Sequence, residues 1–390
     1  MPGIGIEGPE ELEEHAIRSL NEGSVKEGLK LMLRAAKGYE ERGEKADAAR
    51  LYKYLGYILL EKTGDVSKAR PSLLKGAYLY LDLIDRELSR PEVDLDSLDD
   101  YCFNVLEVFA RLGDEKNLRK YAEEFAAIYE DLGNSYKDNN DVEMAIRAYE
   151  SAYRYYRIID DADSYRRVSE ALITLYGQVA EAKLERGDVL GAARAFYRLA
   201  YFILAIFGYD IHFMEMMDTA AKNFEKASKL AYSNGDLDGT TGALVQAQYA
   251  YLLAKNFNRA KLIGLNTARM LHQVVSAYRS QGDDEKTALK LLELAEALVG
   301  IGKTSEGLEA YKSALEYKSN LKMRTRIRLA FLKKHAAENG SKEVLSDVET
   351  VEYYLGKGRD AKALELAEKA MERENLRDTL EKIHEAEGVY

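Results

Sequence analysis

The chain has 390 residues, of which 67 are acidic and 56 basic, and its formal net charge at pH 7 is -11. This average charge repels nucleic-acid duplexes and anionic membranes, and the single cysteine, Cys102, excludes an intramolecular disulfide framework. Only four prolines occur, none of them after Pro91, so the composition favours long helices over a sheet protein.

Residues 1–9 are predicted to form a flexible amino-terminal tail. The tail has neither the basic nor the apolar segment of a signal or transit peptide, so we expect a cytoplasmic protein. The letters from Gly3 to Gly8 match a dinucleotide-binding fingerprint. That motif works only when a strand leads into it, and only Met1 and Pro2 precede it here. No cofactor site is therefore predicted.

A recurring break divides the rest of the chain into helical segments. Apolar residues recur at helical spacing, and between the segments a glycine that ends one helix is followed by an aspartate that caps the next. The breaks are Gly64-Asp65, Gly113-Asp114, Gly187-Asp188, Gly235-Asp236 and Gly282-Asp283. Because several lie 47 to 49 residues apart, each interval holds two helices, and we predict about 16 to 18 helices in antiparallel hairpins.

The segment from Tyr129 to Ala152 nearly completes the tetratricopeptide (TPR) signature. The matching positions are Tyr129, Leu132, Gly133, Tyr136, Ala145, Tyr149 and Ala152. Arg157 replaces the closing proline of the motif. Small-aromatic-small triplets recur at Ala220-Phe224-Ala227 and Gly307-Tyr311-Ala314, where small residues let helices approach and the ring fills the gap. We predict an all-α fold, a right-handed α-solenoid of TPR-like hairpins over residues 10–320, continued by hairpins over residues 321–390.

Three segments resemble the soluble NSF-attachment proteins, which are extended adaptors built from TPR-like hairpins. They are AAKGYEERGEKADAARLY at Ala35 to Tyr52, DVEMAIRAYESAYRYY at Asp141 to Tyr156 and GDVLGAARAFYRLA at Gly187 to Ala200. The resemblance extends from Gly23 to Ala260. It implies an adaptor that lays a curved face along a helical bundle and presents that bundle to a hexameric ATPase. The ending EKIHEAEGVY departs from the family's acidic terminus with a penultimate leucine.

The most apolar stretch, Leu199 to Met217, is predicted to form a corner between two helices. Its longest apolar run, Leu199 to Phe207, has about half the length needed to cross a bilayer, so no transmembrane segment is predicted. One interpretation is a corner packed inside the protein. The other is an exposed docking loop or membrane-touching tip around Phe207 to Phe213, with Phe207, Tyr209 and Phe213 as the contact residues.

The segment from Ala297 to Thr304 matches a relaxed phosphate-loop pattern. A working phosphate loop follows a strand, whereas the preceding residues ALKLLELAEAL are helical. We therefore predict a helix end at Gly302, with Thr304 or Ser305 capping the next helix.

The densest positive segment, residues 318–334, is predicted to form an amphipathic helix. Its cations are Lys318, Lys322, Arg324, Arg326, Arg328, Lys333 and Lys334. A solvated charged face is one interpretation, and a surface for an acidic peptide or RNA is the other.

No catalytic or metal-binding residues are predicted. The five histidines show no short metal-ligand spacing, and no nucleophile has a local base signature. We expect a non-enzymatic adaptor that binds a helical or extended segment of another protein; an RNA-binding repeat protein using residues 318–334 is the alternative. Because Tyr153, Tyr155 and Tyr156 cannot all face one core stripe, surplus tyrosines are candidates for a binding wall. Abundant Glu, Lys and Tyr also suit a thermophilic protein.

Overall fold

The computed structural model describes residues 8–388, and over this range the protein consists of 18 α-helices without a strand. This confirms the all-helical prediction and its helix count. Contacts divide the chain into two compact units, one ending at Val168 and the other beginning at Ser169. The fingerprint-like letters from Gly3 and most of the expected tail lie outside the described residues, and the first helix already begins at Pro9.

The first unit contains seven complete helices and the start of an eighth. They are α1 (Pro9–Asn21), α2 (Val25–Glu41), α3 (Lys45–Thr63), α4 (Val66–Leu88), α5 (Leu95–Arg111), α6 (Glu115–Asp138), α7 (Val142–Ile158) and α8 (Ala162–Glu185). The division between the units falls within α8.

The second unit contains the remainder of α8 and ten further helices. They are α9 (Val189–Phe207), α10 (Ile211–Ser233), α11 (Leu237–Leu253), α12 (Phe257–Gln281), α13 (Asp284–Gly300), α14 (Thr304–Tyr317), α15 (Leu321–Asn339), α16 (Lys342–Gly356), α17 (Asp360–Arg373) and α18 (Arg377–Glu387). The expected division at residue 320 lies inside this unit, in the loop between α14 and α15.

All five predicted Gly-Asp breaks are turns between helices. Each glycine is left-handed, with φ between 63° and 77°, and each following aspartate side chain accepts a hydrogen bond from a backbone amide in the first helical turn. Four further turns place a residue other than glycine in the same left-handed region, with φ of 60° at Asn140, 57° at Asp160, 56° at Lys255 and 57° at Asn375. The Gly-Asp pattern does not reveal these turns because a side chain occupies the strained position.

The predicted repeat from Tyr129 forms the α6–α7 hairpin. Gly133 of α6 lies against Tyr149 of α7, and a Cβ placed on Gly133 would be 2.7 Å from the ring. The Tyr149 hydroxyl donates a hydrogen bond of 2.7 Å to Asn134, which fixes the ring over the glycine. The small residues Ala145 and Ala152 are fully buried, as the motif predicts.

Side-chain contacts connect the odd-numbered helices within each unit. In the first unit Lys53 of α3 lies 2.9 Å from Glu107 of α5, and Ser151 of α7 donates to Asp99 of α5 at 2.9 Å. In the second unit Thr241 of α11 donates to Glu293 of α13 at 2.8 Å. In the first unit α3, α5 and α7 therefore lie side by side, and in the second unit α11 lies beside α13.

The three clustered tyrosines of α7 are all buried, so none of them is available for the predicted binding wall. Tyr155 packs its ring against Tyr129 of α6, with centroids 5.7 Å apart. Tyr156 donates a hydrogen bond of 2.6 Å to Glu130. Tyr153 meets Tyr165 of α8 edge to face at 6.2 Å. Because α7 has neighbours on several sides, tyrosines outside one stripe are buried too.

Candidate protein-binding surface

The predicted basic segment forms α15, but its cations do not make one solvated face. Arg328 is fully buried and Lys333 is 7% exposed, so that interpretation is wrong for both residues. Arg324, Arg326 and Lys334 are half-buried, and of the seven predicted cations only Lys318, which precedes α15, and Lys322 are exposed. The alternation of charged and apolar residues does not predict the burial of these cations, because α15 has neighbouring helices on more than one side.

Arg328 holds the carboxyl-terminal helix in place. Its guanidinium binds Glu387 of α18 through contacts of 2.7 and 3.1 Å and Glu368 of α17 at 2.7 Å. Tyr311 of α14 donates to the same Glu387 at 2.7 Å. Burial by itself would raise the pKa of Glu387, but the hydrogen bonds and charge of Arg328 outweigh burial and lower it. Replacing Arg328 would therefore test folding rather than RNA binding.

Arg326 and Lys334 are also engaged in ion pairs. Arg326 makes two parallel contacts of 2.8 and 2.7 Å with Glu296 of α13. Lys334 lies 2.5 Å from Glu338, one turn further along α15. Any surface that α15 offers to an acidic peptide or RNA is thus centred on Lys322 and Arg324.

Lys333 of α15 is buried among side chains of α9, α11 and α16. Its ammonium lies 2.6 Å from Glu352 of α16 and over the rings of Tyr197 (α9) and Tyr249 (α11), at 5.7 and 5.4 Å. Burial works against the charged ammonium, but Glu352 outweighs it and raises the pKa of Lys333. Burial also raises the pKa of Tyr197 to about 12.

A second ion pair joins the same helices, between Arg198 of α9 and Glu349 of α16 at 3.3 Å. Helices α15 and α16 therefore pack against α9 and α11, so the chain itself covers these side chains. A partner segment has no open groove at these side chains.

The predicted apolar corner is partly packed inside the protein and partly exposed. Phe207 is 58% exposed at the end of α9, whereas Phe213 is fully buried in α10. Tyr209 is half-buried and donates a hydrogen bond of 2.7 Å to the carbonyl of Leu253. Among the described helices, α9 is long and apolar enough to cross a membrane by length and composition. Its apolar window is 61% buried within the protein, as in a core helix.

The phosphate-loop-like segment is a turn between α13 and α14, as predicted. Gly302 has φ of 85°, and α14 begins at Thr304. The predicted cap is wrong, because the N-cap position falls on Lys303, without a side-chain cap. Lys303 instead contacts Glu306 at 2.7 Å. Within residues 8–388, no group of three or more His, Cys, Asp or Glu is placed to hold a metal ion.

In the first unit the odd-numbered helices form a face that still reaches solvent, which we call the α3–α5–α7 surface. It includes Lys53, Tyr54 and Tyr57 of α3, Asp96, Asn104, Glu107 and Arg111 of α5, and Arg147 of α7. Tyr54 is 47% exposed, and Arg111 and Asp96 are exposed as well. This surface was not recognised from the sequence.

Contacts among its own residues order the α3–α5–α7 surface. Lys53 binds Asn104 and Glu107 across the α3–α5 boundary. Two cations, Lys53 and Arg111, contact the ring of Tyr57, each 5.5 Å from its centroid. Burial, followed by the charge of Glu107, raises the pKa of Tyr57 far above its ordinary value, so its hydroxyl stays protonated.

A regular sequence separation marks these contacts. Lys53 and Glu107 are 54 residues apart, Asp96 and Arg147 are 51 apart, and Asp99 and Ser151 are 52 apart. The separations are close to the spacing of the Gly-Asp breaks. Searching the sequence for complementary side chains one repeat apart would therefore have found this layer.

No family model and no curated protein sequence matches the chain. A Rap protein complexed with competence and sporulation factor is 13% identical, covers 92% of this chain and 99% of its own, and has a TM-score of 0.29.

The TPR domain of P58(IPK) is 14% identical and has a TM-score of 0.18, covering 87% of this chain and 97% of its own. Yeast Tom70 is 12% identical and has a TM-score of 0.16, covering 95% and 96%. Scores this low transfer no function. The TPR-like description rests on the capped hairpins and on the packing of Gly133 against Tyr149.

Proposed function

We propose that the protein is a non-enzymatic adaptor that binds a helical or extended segment of another protein on the α3–α5–α7 surface. One observation carries the proposal. In the second unit α15 and α16 cover side chains of α9 and α11, whereas in the first unit the side chains along α3, α5 and α7 keep an edge in solvent.

The side chains of this surface suit recognition of a peptide. Tyr and Arg contribute strongly to protein interfaces because each offers a large contact area together with directed hydrogen bonds. Tyr54 and Arg111 are exposed. The ring of Tyr57 is already ordered by its contacts with Lys53 and Arg111. Side chains that are ordered before binding lose less conformational entropy when the partner arrives.

The resemblance to the soluble NSF-attachment proteins supports a narrower form of the proposal. In that form the bound segment belongs to a helical bundle that is presented to an ATPase in the cytoplasm. The RNA-binding alternative has weaker support, because Arg326, Arg328 and Lys333 are engaged in ion pairs inside the second unit.

Affinity capture with quantitative mass spectrometry tests the adaptor proposal. We expect the wild-type chain to recover a partner in stoichiometric amount, and a Tyr54→Ala, Arg111→Ala variant to recover at least about tenfold less. The matched control is Tyr232→Ala, Lys261→Ala, which removes an exposed tyrosine and an exposed cation from the second unit. Equal recovery by both variants, or no stoichiometric partner, would contradict the proposal.

A further inference from the structure

A pocket of about 440 Å³ opens between α10 and α12 in the second unit, and we call it the α10–α12 pocket. Lys222, Lys226 and Lys229 line it from α10, and Arg259 lines it from α12. The three lysines are spaced by four and three residues, so they lie on one face of the helix. Four cations around one pocket stand out in a chain whose net charge is -11.

A single buried carboxylate organises the floor of the α10–α12 pocket. Glu225, with a side chain 10% exposed, lies 3.1 Å from Lys229 and accepts from Arg259 Nε and the Tyr251 hydroxyl, each at 3.2 Å. Burial opposes ionisation, but Arg259 and Lys229 outweigh it and lower the pKa of Glu225. Glu225 is therefore ionised at neutral pH and holds two of the cations in position.

The remaining cations face the mouth of the pocket. Lys222 lies 2.7 Å from Asp218 at the rim. Lys226 is exposed and makes no ion pair with any residue from 8 to 388. Asn256 also lines the pocket and is the N-cap of the 25-residue helix α12, so the positive end of that helix dipole lies at the same place.

We infer that the α10–α12 pocket binds a phosphate monoester. Four cations set against Glu225 and Asp218 leave an excess of two positive charges, and a phosphate monoester carries about -1.5 to -2 at pH 7. A single carboxylate would neutralise only part of that excess. The Lys, Arg and Asn side chains that line the pocket can donate hydrogen bonds, and phosphate oxygens accept them, whereas the Tyr251 hydroxyl already donates to Glu225.

The volume of the pocket exceeds what one phosphate ion fills, so there is room for a phosphate that carries an organic group. A phosphorylated side chain of a partner protein and a small phosphorylated metabolite share this chemistry. The inference does not rest on the adaptor proposal, because the pocket belongs to the second unit and contains no residue of the α3–α5–α7 surface.

Isothermal titration calorimetry of the full chain in phosphate-free buffer of low ionic strength tests the inference. The probes are a phosphoserine peptide, the same peptide with serine or glutamate at that position, a sugar phosphate and inorganic phosphate. We expect at least one monoester to bind, and its affinity to fall by at least about tenfold in Lys226→Glu, where an attraction becomes a repulsion. Lys261→Glu, which makes the same charge change at an exposed site outside the pocket, should change affinity by less than about twofold.

The probes also separate the two sources of the monoester. Tighter binding of the phosphopeptide would indicate a phosphorylated partner, and tighter binding of the sugar phosphate would indicate a metabolite. The inference is overturned if neither monoester gives heat, if the glutamate peptide binds as tightly, or if Lys226→Glu binds like wild type. Circular dichroism of both variants establishes that they are folded.

Discussion

At Gly133 the backbone of α6 approaches the ring of Tyr149 closely enough that a side chain would not fit. A Cβ there would lie 2.7, 2.8 and 2.9 Å from three ring carbons. The ring cannot retreat freely, because Tyr149 is 2% exposed and its hydroxyl is hydrogen-bonded to Asn134. This glycine therefore sets the distance between the two helices of the hairpin.

We expect Gly133→Ala to destabilise the protein by about 1–3 kcal/mol, because the new methyl group overpacks the hairpin. The control is Gly242→Ala in α11, where a Cβ meets no atom within 4 Å. That change should raise stability by up to about 1 kcal/mol through helix propensity. Urea unfolding followed by circular dichroism measures both. Similar midpoints for the two variants would contradict the close contact.

Glu387 should make the stability of the protein depend on pH. Its pKa is lower in the folded protein than its ordinary value of 4.5, so it stabilises the fold above that value and ceases to do so as the pH falls through the folded pKa. We expect Glu387→Gln to lower the melting temperature at pH 7, with a difference from wild type that shrinks in acid. A difference that is constant from about pH 7 to about pH 3 would contradict this account.

At the scale of elements, the second unit depends on how α15 joins helices that are distant in sequence. Lys333 contacts Glu352 of α16 and the rings of Tyr197 and Tyr249. Arg328 reaches α17 and α18 through Glu368 and Glu387. The sequence pattern of α15 is typical of a charged surface helix. In the structure α15 instead connects buried side chains of several other helices.

We expect Lys333→Met to destabilise the second unit by about 2–3 kcal/mol, because Glu352 is left without its counter-charge. The loss is smaller than for a fully buried pair, since the Glu352 side chain is 21% exposed. Adding Glu352→Gln should recover most of the stability. Hydrogen exchange in α16, with α2 of the first unit as internal reference, reports the change. A double variant as unstable as Lys333→Met would show that the pairing is not the cause.

Local signals predicted the helices and their hairpins but not the closure of the second unit. The Gly-Asp turns and the helix contact at Gly133 depend on residues that are close in sequence. The sequence pattern therefore predicts them directly. The pairing of Lys333 with Glu352 depends on how several hairpins stack, which no local pattern contains. The α3–α5–α7 surface is intermediate in how well the sequence predicts it. Its ion pairs join residues that are distant in sequence, but their separation follows the repeat spacing.

Over the whole molecule, the charge is unevenly distributed between the two units. Residues 1–168 contain 35 acidic and 25 basic side chains, whereas residues 169–390 contain 32 and 31. Almost all of the net charge of -11 therefore belongs to the first unit. Self-repulsion opposes compaction there, and the α3–α5–α7 surface lies in a negative field that favours a basic partner.

Added salt should stabilise the first unit more than the second. Raising sodium chloride from about 0.05 M to about 0.5 M shortens the screening length from roughly 14 Å to roughly 4 Å, which weakens repulsion among the excess acids. Hydrogen exchange should slow in α5 and α6 and change little in α10 and α11. A uniform response of both units would contradict the expectation.

The burial of α13 affects how the protein folds during its synthesis. From Lys290 to Gly300 every side chain is buried, so the helix is covered on all sides by the rest of its unit. Its cover includes α15, whose Arg326 neutralises Glu296. On the ribosome the last residue of α15 follows α13 by about 40 residues, or some 2–8 s at ordinary elongation rates. During that interval the apolar helix lacks part of its cover, and Glu296 lacks its partner Arg326, so chaperones that bind nascent chains should engage this segment.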